Sequence, residues 1–67
     1  MKIFGVRLRE LRLENNISQV QLADIFNVSQ SSIADWERGV TETDFETLAK
    51  LAKFFEVTAD YLLGLED

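Results

Sequence analysis

The chain carries a regular series of helix starts and almost nothing that would break a helix. Ser18 stands three residues before Gln21, and Thr43 stands three before Glu46. Both pairs have the spacing of a capping box, in which each side chain satisfies the other's free backbone N–H. Ser29 and Thr58 are further N-cap residues, each at the start of a helical pattern. Proline is absent, and glycine occurs only at positions 5, 39 and 64. Gly39 and Gly64 supply the left-handed residue that closes a helix, and Asn15-Asn16 ends the first one. The pattern predicts five helices, over 3–14, 19–26, 30–37, 44–55 and 59–63. Their apolar residues recur at the three- and four-residue spacings of one helix face. The candidate core is Phe4, Leu8 and Leu11, then Leu22, Ala23 and Phe26, then Ile33 and Trp36, then Phe45, Leu48, Leu51, Ala52 and Phe55. This is an all-α chain, expected to form a single five-helix domain over residues 1–67. So short a chain buries only about 60% of its unfolded surface. A hydrophobic fraction of 46% is what makes an ordered core feasible.

The same composition excludes most chemistry. Without cysteine there is no disulfide framework, no thiolate metal site and no thiol nucleophile. Without histidine the commonest general base and metal ligand is missing. An enzyme is not expected, nor a cofactor, nor a metal. No apolar run approaches the length of a membrane span. Met1-Lys2-Ile3-Phe4-Gly5 is too short and too soon charged for a signal peptide, so a cytoplasmic setting is expected. The net charge of −5 is unevenly spread. Residues 1–14 balance at +2, residues 15–38 at −2 and residues 39–67 at −5.

The junction of the second and third helices is the most specific segment. Two short helices cross steeply when their contact residue is small, their turn admits a left-handed backbone and their inner faces are apolar. Ala23 is the small contact, and Asn27 is the non-glycine residue best suited to positive φ. Val28, Ile33 and Trp36 fill the wedge. These are the physical requirements of a helix-turn-helix over about 19–38.

The run Gln19-Val-Gln-Leu-Ala-Asp-Ile-Phe-Asn-Val-Ser-Gln-Ser-Ser-Ile-Ala-Asp-Trp-Glu-Arg38 strongly resembles the phage repressor and Cro type of helix-turn-helix regulators, the lambda repressor-like domains. Leu8-Arg-Glu-Leu-Arg12 is similar to that family's first helix. Phe45-Glu-Thr-Leu-Ala-Lys-Leu-Ala52 and Val57-Thr-Ala-Asp-Tyr-Leu-Leu-Gly64 are similar to its last two. The likeness runs unbroken through about 60 of the 67 residues.

The resemblance implies sequence-specific binding of double-stranded DNA by a transcriptional regulator, a repressor acting as a homodimer on palindromic operators. The third helix would enter the major groove with its N-terminal residues at base edges. Gln30 would pair with adenine N6 and N7, Ser31 would reach either kind of base edge, and Asp35 would be the third outward residue. Gln19, at a helix N-terminus, would hold a phosphate. Ser29 is first a cap, with its hydroxyl near a phosphate. Arg38 and Arg12 would add charge to the backbone contact. The resemblance also pairs Arg12 with Glu37, locking the first helix to the third.

Two departures qualify the implied affinity. Asp35 is an acid on the DNA face; it accepts from cytosine N4 but repels phosphates. The loop Val40-Thr-Glu-Thr43 has neither proline nor positive charge. Since phosphate neutralisation supplies much of DNA affinity, binding should be modest and should lean on helix N-termini and backbone amides. The acidic balance also fits an alternative, a protein-interaction module of the same fold that binds DNA weakly. Leu62, Leu63 and Leu65 crowd the end of the chain at a helix of only five residues, with Tyr61 one position ahead, so at least one should stay exposed and serve the dimer.

Overall fold

A computed structural model describes residues 2–67. Met1, where the expected domain begins, lies outside the described residues. The chain forms five helices: α1 (Lys2–Glu14), α2 (Gln19–Phe26), α3 (Gln30–Arg38), α4 (Phe45–Phe54) and α5 (Ala59–Leu63). The described residues contain no strand. α3 packs against both α1 and α2, α5 against α1 and α4.

Local chemistry sets most of these boundaries. At α2 the Ser18 hydroxyl accepts from the Gln21 N–H at 3.0 Å, and the Gln21 side chain accepts from the Ser18 N–H at 2.8 Å. This is the expected capping box. Ser29 caps α3 through the Ser32 N–H at 3.1 Å, and Thr58 caps α5 through the Tyr61 N–H at 3.0 Å.

α4 corrects the expected pattern. Thr43 and Glu46 do not form its cap. Asp44 takes that place, with extended backbone at φ −82° and ψ 169° and its carboxylate accepting from the Thr47 N–H at 2.9 Å. Two adjacent residues could cap this helix, and a carboxylate is the stronger acceptor and complements the helix dipole. The Asp44 pKa is lowered accordingly, mainly by the hydrogen bonds that Thr47 makes to its carboxylate. Phe45 then becomes the first helical residue and is 91% exposed, outside the core it was expected to join. The stripe that does pack is Leu48, Leu51, Ala52 and Phe55.

The core gathers Phe4, Leu8, Leu11, Leu22, Ala23, Ile33 and Trp36 with that stripe and Leu62. Phe26 sits at its margin, edge-on to Phe54 at 5.5 Å between ring centroids. One contact sets how α1 meets α3. A Cβ at Gly5 would lie 2.3 Å from the Trp36 carbonyl oxygen and 2.6 Å from that of Glu37. Only a residue without a side chain lets the two backbones approach so closely.

Candidate nucleic-acid interface

The steep turn between α2 and α3 rests on three residues. Ala23 is buried at the contact. Asn27 adopts φ 56° and ψ 44°, a left-handed conformation that asparagine tolerates better than most residues. The Val28 N–H then closes back on the Ala23 carbonyl at 3.0 Å. The turn ends at Ser29, whose hydroxyl also lies 3.2 Å from that of Ser31 and 2.9 Å from that of Ser32. The N-terminus of α3 thus carries three neighbouring hydroxyls at the positive end of the helix, where an anion is favoured.

Behind this end lies a continuous polar chain. The Arg12 guanidinium donates through Nε to Glu37 Oε2 at 2.6 Å and through Nη2 to Glu37 Oε1 at 3.0 Å. Its Nη1 donates to the Ile17 carbonyl at 2.9 Å, tying in the α1–α2 loop. Both charges are buried, so the bidentate geometry and the third bond are what offset their desolvation. The hydrogen bonds to Glu37 raise the Arg12 pKa above its ordinary value, against the effect of burial and with the attraction of the two charges. Glu37 Oε1 accepts a further bond, from the Gln19 amide at 3.1 Å. The Gln19 carbonyl in turn accepts from the Gln30 amide at 3.0 Å. A buried ion pair therefore orients Gln19, and Gln19 orients Gln30, the first residue of α3.

The outer face of α3 carries the remaining candidates. Gln30 and Ser31 are exposed. Ser31, Asp35 and Arg38 stand at helical spacings of four and three and share one face. The Asp35 carboxylate accepts a hydrogen bond from Arg38 Nη2. The inner face, with Ile33, Trp36 and Glu37, is buried. The structure therefore brings Gln19, Ser29, Gln30 and Ser31 together at one end of α3, and Asp35 with Arg38 further along it. Arg12 is joined to the first group through Glu37 and Gln19.

Two contributors escaped the sequence reading. One is Gly5, which sets the spacing of α1 from α3; a glycine inside a helical pattern was its only signal. The other is the Ile17 carbonyl, which no sequence pattern marks as the acceptor for Arg12.

This is the architecture of a helix-turn-helix domain. Residues 8–62 match the helix-turn-helix family, and the chain belongs to that family. It is 41% identical over 64 residues to the transcriptional activator BcrR of Enterococcus faecalis, covering 96% of this chain and 31% of that protein. Its fold is similar to that of the c2 repressor of Salmonella phage P22 crystallised with a synthetic operator, with 35% identity and a TM-score of 0.83. That likeness covers 92% of this chain and 94% of the repressor chain. It is also similar to the restriction-modification controller protein C.AhdI of Aeromonas hydrophila, at 33% identity and a TM-score of 0.77 over 90% of this chain and 91% of that one. The chain spans between about a third and a half of the length of the curated relatives it matches first. The lambda repressor-like fold expected from the sequence is the one observed.

Proposed function

We propose that this chain is a sequence-specific DNA-binding domain of a transcriptional regulator, a repressor working in the cytoplasm as a homodimer on palindromic operators. The observation that carries this reading is the aligned Gln30 side chain. It is exposed at the start of α3, and it is held by Gln19 from an ion pair that is itself buried. A side chain oriented before binding loses less freedom when it engages a base. In the operator complex α3 lies in the major groove. Gln30 takes an adenine edge, and Ser31 and Asp35 take neighbouring base edges. Gln19, Ser29 and Arg38 face phosphates. Arg12 adds positive charge from behind them, its guanidinium already engaged within the fold. The operator seen with the P22 c2 repressor supports this placement, since the two folds share nearly their whole length.

One copy offers few base contacts, and two-fold repetition doubles them. The exposed C-terminal segment supports a dimer surface there. Leu62 is fully buried, whereas Leu65 is 73% exposed and Ile3, beside Gly64, is half-exposed. A Leu65→Glu variant should keep its helical circular dichroism and lose dimer in sedimentation. An unchanged dimer would place the interface elsewhere.

Selection of bound sequences from random duplex DNA at two salt concentrations tests the function itself. A palindromic consensus whose affinity falls with salt is the expected result. No enrichment at low salt would contradict it and favour the partner-binding alternative.

A further inference from the structure

We infer that Asp35 and Arg38 act as an exchange pair that makes a phosphate contact conditional on the base beside it. The inference rests on the DNA-binding reading above and deepens it. Arg38 is the one cation among residues 15–38, and the loop that follows it carries Glu42 and Asp44. In the free protein its guanidinium is bound to the Asp35 carboxylate on the outer face of α3. The two side chains are 66% and 33% exposed, so the pair is wet and cheap to open.

Two outcomes are available when this face meets DNA. If Arg38 stays with Asp35, the face presents a neutral pair and gains no phosphate. If Arg38 leaves for a phosphate, the Asp35 carboxylate is left bare in a groove flanked by negative charge, which repels it. A third outcome removes the conflict. The major groove offers two hydrogen-bond donors, the amino groups of cytosine N4 and adenine N6. When one of these faces Asp35, the carboxylate exchanges Arg38 for the base, and Arg38 becomes free to bind a phosphate. The correct base thus contributes twice, once through its own hydrogen bond and once by releasing a cation. A wrong base gains neither. The acid that lowers overall affinity is, on this account, the residue that sharpens discrimination.

The near-isosteric change Asp35→Asn tests this, with Arg38→Gln as its complement. Binding of each to the selected operator and to a scrambled duplex of equal length is measured by fluorescence anisotropy over a range of salt. Thermal melts should change little, because a solvent-accessible pair of this kind adds little to stability. Asp35→Asn should bind scrambled DNA several-fold more tightly, with a log–log salt slope steeper by about 1, as one more phosphate is neutralised. Its preference for the operator should fall by roughly tenfold, because Arg38 is then free to reach a phosphate whatever base stands beside residue 35. Arg38→Gln should weaken binding to both duplexes, because it removes the phosphate contact on the operator and leaves the Asp35 carboxylate bare on scrambled DNA. If Asp35→Asn keeps the wild-type salt slope and affinity on scrambled DNA, Arg38 was never restrained and the exchange is overturned, whatever happens on the operator. If the wild-type chain prefers no sequence at all, the DNA-binding reading fails first and the inference falls with it.

Discussion

Between α1 and α3 the contact is close and charged, whereas between α4 and α5 it is apolar and looser at its edges. On the first side Gly5 brings two backbones together, and the Arg12–Glu37 pair is buried with every described bond inside the fold. On the second side Leu51 and Leu62 are fully buried, Phe54 is partly exposed against Phe26 and Phe55, and Phe45 and Leu65 stand out in solvent. The contrast shows how a small domain divides its work. Apolar burial is non-directional and holds α4 and α5 in place. A bidentate ion pair is directional, and it ties α3 to α1 in one orientation.

The contrast is broken most severely at the ion pair. Arg12→Ala or Glu37→Ala leaves the other charge buried alone, and each should destabilise the domain by about 3–5 kcal/mol. The double variant should lose clearly less than the sum. Urea unfolding of the three variants measures this, and additive losses would mean that the pair is not a unit.

Next in size is Gly5→Ala. In an ordinary helix this change stabilises by up to about 1 kcal/mol. Here the added methyl meets backbone oxygens that cannot turn aside. A net loss of about 1–3 kcal/mol is expected in the same assay. A gain would show that α1 and α3 lie further apart.

How far the sequence foretold these features follows from the range of the forces involved. The caps at Ser18, Ser29 and Thr58 depend on residues three positions apart, so they were legible. The left-handed Asn27 was legible because the turn needed it and the residue suited it. α4 starts one residue beyond the expected position because Thr43 and Asp44 both suit a cap, and the exposure of Phe45 follows from that shift. Gly5 and the Gln19–Gln30 bond depend on how closely helices approach, which a linear pattern does not encode. The meeting of Arg12 with Glu37 was named only through the family likeness; no local rule links residues so far apart in the chain.

Glu56 was unforeseen as well, and it provides the next prediction. It closes α4 at φ 57°, a conformation that costs a side-chain-bearing residue roughly 1 kcal/mol. Glu56→Gly should therefore raise the unfolding midpoint, sharpening the contrast with Gly5, where glycine is the residue that cannot be replaced. A lower midpoint would remove strain from the account of α4.

The smallest effect concerns Asp44. Its folded pKa is lowered by the Thr47 hydrogen bonds, so it adds stability above the ordinary carboxylate range. That contribution should fade as pH drops through the folded value. Asp44→Asn should show a flatter acid limb in stability against pH, and an identical limb would remove the cap from the account of α4.

The central claim is that the polar chain from Arg12 through Glu37 and Gln19 aims Gln30 at a base. Anisotropy titrations of Gln30→Ala against the selected operator and a scrambled duplex test it directly. The account predicts a loss of about 1–3 kcal/mol on the operator, with binding to the scrambled duplex nearly unchanged. Equal losses on both duplexes would contradict it and make Gln30 a residue that positions the domain without reading sequence.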